Sequence, residues 1–150
     1  MIRRGDWVPL LPKLARIAVV SAVPAELIIR GADYVLPGEG SSHQLTVVES
    51  AMPLWVWGTL CLGFGLTQAA GLLGRWRRVT AAALWLGGVL YVALAAGQWW
   101  AVADVPFLDG FRGPGIVSIF CLAQLGMGAG YSLQPDERDV QKAVENGETP

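Results

Sequence analysis

The chain has 150 residues, 53% of them hydrophobic and only 15% charged, and its mean hydropathy of +0.45 sets it outside the composition of an ordinary soluble domain. A net charge of −1 with no basic stripe gives a nucleic-acid partner no electrostatic support. Two cysteines, Cys61 and Cys121, sit within apolar runs and offer neither a disulfide framework nor a C-x-x-C redox or zinc pattern.

The placement of the charges decides the class. They leave uncharged runs of 25, 25 and 23 residues at 50–74, 79–103 and 113–135, each long enough to cross a bilayer. These runs predict an all-α integral membrane protein: four transmembrane helices at about 17–36, 52–74, 79–102 and 114–133, in one up-down membrane domain over 1–133. A charged cytoplasmic tail follows at 134–150.

The first helix is the least apolar. One reading makes its apolar stretch at 17–25 the core of a signal peptide, with Ala22 or Ala25 at the cleavage site. The preferred reading continues the helix to Leu36, with Pro24 tolerated as in other membrane helices. Glu26, Arg30 and Asp33 are then spaced i, i+4 and i, i+3, which places all three on one face where they can pair. Glu26 falls near the bilayer midplane, where a bare carboxylate is costly. It is either a pore-lining or ion-relay group, or a structural carboxylate paired with Arg30.

The glycine-rich loop at 38–44 holds His43, the only histidine, so no metal site is expected. Pro53 suits the start of the second helix and Pro114 the start of the fourth. The short turn Arg75, Trp76, Arg77, Arg78 forces helices two and three to be antiparallel neighbours. Basic residues near the helix ends place this turn and both termini in the cytoplasm. Trp55, Trp57, Trp99 and Trp100 then form an outer aromatic belt, and Trp76 anchors the inner surface.

Small residues recur at four-residue spacing: Gly63, Thr67 and Gly71 in the second helix, Ala93 and Gly97 in the third, Gly126 and Gly130 in the fourth. Such faces let helices approach closely. For Gly126 and Gly130, packing within the chain is favoured over self-association. Gln68, Gln98 and Gln124 are amides inside the last three helices, suited to bonding across helices or lining a hydrated seam. Asp104, Asp109 and Arg112, beside Phe107 and Phe111, read as an interfacial loop in preference to a recognition surface. No nucleotide-binding, zinc-protease or Ser/His/Asp signature is present, so neither an enzyme nor a cofactor is expected.

Three stretches carry a resemblance to a known family: Pro53-Leu54-Trp55-Val56-Trp57-Gly58, the basic turn at 75–78, and Leu108-Asp109-Gly110-Phe111-Arg112-Gly113-Pro114. Over about 50–133 the chain resembles the small four-helix holin-like membrane proteins of lysis cassettes in phages of actinobacteria. Helix one, with its three charges, departs from their apolar pattern. The resemblance implies a multi-pass protein of the bacterial inner (cytoplasmic) membrane that oligomerises and permeabilises the lipid bilayer. The alternative is a non-enzymatic accessory protein that binds a partner: an assembly factor, an exclusion protein or a small subunit of a membrane complex.

Overall fold

The computed structural model describes residues 12–36, 48–104 and 111–133, so the expectations for His43, Asp109 and the tail at 134–150 lie outside the described residues. Four long helices are present: α1 Lys13–Val35, α2 Leu54–Gly74, α3 Arg77–Asp104 and α4 Arg112–Leu133, with a short 3-10 turn at Glu49–Ala51 before α2. At ~1.5 Å per residue each long helix is about 30 Å or more, the thickness of a bilayer core.

α2, α3 and α4 are long and apolar enough to cross a membrane. α1 does not meet that description. It begins at Lys13, four residues earlier than expected, and every stretch of 18 residues within it carries at least three charges. The helix runs unbroken through Pro24, which is buried, and through both alanines considered as cleavage positions. Its backbone hydrogen bonds make the apolar stretch and the charged stretch one element.

The helices follow one another around the bundle. α1 packs on α2, α2 on α3 and α3 on α4, while α1 and α4 meet only briefly. The α1–α2 crossing depends on missing side chains: a Cβ on Gly31 would stand 2.7 Å from the Leu62 backbone nitrogen and 2.8 Å from the Gly58 carbonyl. At the other end, Gly71 meets Thr80, where a Cβ would come within 2.5 Å of the hydroxyl.

The α2–α3 turn is a helix C-cap of the Schellman type. The Trp76 N–H bonds the Gly71 carbonyl at 2.9 Å and the Arg75 N–H bonds that of Leu72 at 3.4 Å, with Arg75 left-handed at φ 55°. This closes the carbonyl end of α2 in two residues. Arg77 then reaches across to the far end of α4, donating from Nε to the Tyr131 carbonyl at 2.8 Å and from a terminal nitrogen to that of Ser132 at 3.2 Å. The basic turn and the C-terminus of α4 therefore share one end of the bundle.

The interior is lined by Leu27, Tyr34, Trp57, Cys61, Leu90, Tyr91, Leu94, Val117 and Cys121. The outward faces carry large apolar side chains such as Ile29, Leu66, Leu86, Val89, Ile119 and Leu122. Apolar residues outside and polar residues inside are what a hydrocarbon solvent selects.

A candidate functional site in the bundle interior

Two polar groupings occupy the interior. The first is built on one stripe of α1. Glu26 and Arg30, one helical turn apart, form an ion pair: Oε1 of Glu26 accepts from Arg30 Nε at 2.9 Å and from a terminal guanidinium nitrogen at 2.7 Å. Both side chains are four-fifths buried. The guanidinium also lies 5.6 Å from the centre of the Tyr91 ring on α3, a cation–π contact that compensates part of the lost hydration. One turn further along α1, the Tyr34 hydroxyl donates to Oε1 of Glu49, tying α1 to the segment that leads into α2. Glu49 is buried.

The second grouping joins α2 to α4. Gln68 and Gln124 are both fully buried, and Nε2 of Gln68 donates to Oε1 of Gln124 at 3.1 Å and to the Ala83 carbonyl of α3 at 3.0 Å. The carbonyl of Ala83 fixes which way the Gln68 amide faces, and that in turn fixes Gln124, since two like ends cannot meet. Gly87 makes the pair fit: a Cβ there would stand 2.1 Å from Gln124 Oε1 and 2.6 Å from Gln68 Nε2. The same Cβ would be 3.2 Å from Leu27, the neighbour of Glu26, so the two groupings sit close together along the bundle.

Neither grouping is fully satisfied. Oε2 of Glu26, Nε1 of Trp57, the Tyr91 hydroxyl, Oε1 of Gln68, Nε2 of Gln124 and Oε1 of Gln98 are buried with no hydrogen-bond partner among the described residues.

The expected polar face is thus divided. Glu26 pairs with Arg30, but Asp33, seven residues beyond Glu26 and so on nearly the same stripe of α1, is exposed near the end of the helix. Gln68 and Gln124 meet, whereas Gln98 lies apart near the start of α4, where a Cβ on Gly113 would be 3.4 Å from its Oε1. The small residues divide too. Gly71 is a close-packing position and Gly97 is buried, with Ala93 half-buried. Gly63, Gly126 and Gly130 are not close-packing positions among the described residues, because a Cβ on any of them would meet none of these within 4 Å. α3 is instead engaged by the opposite side of α4, through Val117, Cys121, Gln124 and Gly128.

Of the aromatic anchors, Trp55, Trp76, Trp99 and Trp100 are exposed, but Trp57 is 4% exposed and belongs to the core. Two residues on a helix turn about 200°, so Trp55 and Trp57 cannot share a face. Trp99 is held by a 3.0 Å bond to the Ser118 hydroxyl and by the Phe111 ring at 6.1 Å. Trp85, which no sequence pattern singled out, is half-exposed and donates to the Ser132 hydroxyl at 3.1 Å. Cys61 and Cys121 are free thiols, and Cys121 donates to the Gly88 carbonyl at 3.7 Å.

Tyr91, Gly87 and Glu49 are the interior residues that sequence reasoning missed. A lone tyrosine in the middle of an uncharged run was the available signal for the first; nothing local marks the other two. No protein-family model, curated protein or solved structure matches the chain, so the reading of this interior rests on its chemistry.

Proposed function

We propose that the chain is a holin-like protein of the bacterial cytoplasmic membrane, which accumulates as bundles, associates laterally and permeabilises the bilayer. One observation carries this reading: the polar groups are turned into an incompletely satisfied interior, while the Gly126–Gly130 face of α4 is turned outward with none of the described residues on it. A face of small residues admits another helix at close range, and an interior with unspent hydrogen-bonding capacity gains when it meets water.

In this reading α1 is a fourth spanning segment, its charges tolerated because Glu26 and Arg30 neutralise each other against Tyr91. Both termini are cytoplasmic. Arg75, Arg77 and Arg78 lie at the end of the bundle shared with the C-terminus of α4, against Arg112 alone at the start of α4, and this bias favours that end as the inner one.

The test is inducible expression in a bacterial host, following culture density and entry of a membrane-impermeant dye. The wild type is expected to permeabilise abruptly after a lag, and Gly126→Leu with Gly130→Leu to delay or abolish the event. An unchanged lysis time in that variant overturns lateral association through α4. Steady growth with intact membranes, despite confirmed insertion, overturns permeabilisation and favours an accessory protein whose open α4 face seats a partner, to be sought by copurification.

A further inference from the structure

We propose that the end of the bundle at which α1 begins binds the headgroup of an anionic phospholipid, held between the first turn of α1 and the α2–α3 turn. Such binding needs only that the bundle lies in a bilayer, and is the same for a hole-former or an accessory protein.

The contacts of α1 with α2 fix which residues are level. Gly65 of α2 lies against Leu27 and Ile28 of α1, Gly31 against Leu62 and Gly58, and Gly58 also against Tyr34 and Val35. The two helices are thus antiparallel, each step forward on one matched by a step back on the other. Continued toward the start of α1, the match brings Arg16 level with the 75–78 turn, so the first turn of α1 overhangs the end of α2 at Gly74.

The same contacts fix direction. Eighteen residues make about five turns of helix, which puts Lys13 on the stripe of Gly31 and Arg16 on that of Tyr34, the side of α1 that faces α2. At their level α2 has ended, and both are exposed, as is Arg75 of the turn below them. α2 does not need these cations as caps, because its Gly71 and Leu72 carbonyls already accept from the turn. Among the described residues Lys13, Arg16 and Arg75 form no ion pair, whereas Arg77 is committed to the end of α4.

The acids lie elsewhere. Glu26 is paired with Arg30, Glu49 is held by Tyr34 beside the start of α2, Asp33 is next to that tyrosine, and Asp104 ends α3 at the opposite pole. The described residues therefore bring Lys13, Arg16, Arg75, Arg77 and Arg78 to this end with no carboxylate. A phosphodiester suits such a cluster, and the ammonium of a zwitterionic headgroup is repelled by it.

Apolar side chains beside the cations select a lipid over a soluble anion. Leu14, Ile17, Leu73 and Trp76 are all exposed. The Trp76 ring lies against Gly74, where a Cβ would be 3.0 Å from it, and an exposed indole among cations marks the depth of the headgroups. Ile17 and Leu73 continue the stripes of Ile28 and Leu62 about three turns further on, giving an acyl chain a course along the α1–α2 groove.

The test reconstitutes the full chain in vesicles of phosphatidylcholine and phosphatidylglycerol, with one lipid or the other brominated near its glycerol. The difference in quenching between wild type and Trp76→Phe isolates the Trp76 indole. Phosphatidylglycerol is expected to be enriched there about fivefold over its share of the bilayer, the factor that one cation near an anionic surface supplies. Lys13→Gln, Arg16→Gln and Arg75→Gln together, all at exposed positions, are expected to bring it to parity with helix content unchanged by circular dichroism. Equal quenching by the two lipids in the wild type overturns the proposal, and so does an enrichment that the triple variant keeps. Parity that turns to enrichment only with Asp136→Asn, Glu137→Gln and Asp139→Asn overturns it in favour of the chain's own acidic tail as the occupant. Vesicle leakage does not enter the measurement, so failure of the permeabilising reading leaves it intact.

Discussion

Gln68 of α2 and Gln124 of α4 meet across the bundle at 3.1 Å, over a glycine of α3 whose Cβ would lie 2.1 Å from one amide and 2.6 Å from the other. The two helices are opposite one another around the bundle, so this bond spans its interior. It makes the relative depth of α2, α3 and α4 a matter of one specific polar contact, where apolar packing alone would tolerate sliding.

Gly87→Ala is therefore expected to lower stability by about 1–3 kcal/mol, the usual result of forcing extra volume into a filled interior. Gly126→Ala and Gly130→Ala, where the added carbon meets open space, are expected to leave stability unchanged or to raise it by up to ~1 kcal/mol through helix propensity. Thermal unfolding of the three variants in one detergent separates the two classes, and equal losses in all three would contradict the assigned packing.

The Glu26–Arg30 pair predicts a non-additive pattern. Arg30→Met strands the Glu26 carboxylate in the bundle and is expected to cost about 3 kcal/mol, the lower end for breaking a buried pair, since both side chains retain some exposure. Glu26→Gln combined with Arg30→Gln removes both charges and is expected to recover part of that loss. Chaotrope unfolding of the single and double variants in detergent tests this, and a double variant worse than the single one would show that the charges act separately.

Arg77→Ala should loosen the end of α4 without disturbing its start. The lost bonds are to the carbonyls of Tyr131 and Ser132, which have no partner within the helix, and a cation at a helix C-terminus contributes up to about 1 kcal/mol. Hydrogen exchange is expected to quicken over 129–133 and stay unchanged over 114–121. Lysine at 77 is expected to restore the effect only in part, because an ammonium lacks the guanidinium fork that reaches two carbonyls.

Fluorescence distinguishes the two tryptophans that open α2. Brominated lipids quench indoles that face the bilayer, so Trp55→Phe should lower the quenchable fraction and Trp57→Phe should raise it. This follows from exposures of 62% and 4%. The opposite order would mean that α2 is rotated by half a turn.

Sequence by itself determined the class of this protein. Long uncharged runs, short polar breaks and prolines at helix starts define α2, α3 and α4 to within two residues, because hydrogen-bond closure in hydrocarbon leaves helix as the one local solution for such runs. The Glu26–Arg30 pair was legible for the same reason, being spaced by one turn of a single helix.

What only the tertiary structure decided is which side of each helix faces in. The repeat of small residues is the same at Gly71, which packs against Thr80, and at Gly126, whose Cβ would meet none of the described residues within 4 Å. Trp55 and Trp57 read as one belt, yet one faces out and the other in. Near-uniform hydrophobicity around α2, α3 and α4 erases the amphipathic signal that sets helix rotation in a soluble protein. Rotation is instead set by a few close contacts, at Gly31 with Gly58, at Gly87 with the two glutamines, and at Arg77 with the end of α4. Each joins residues far apart in the chain, so no local pattern could announce it.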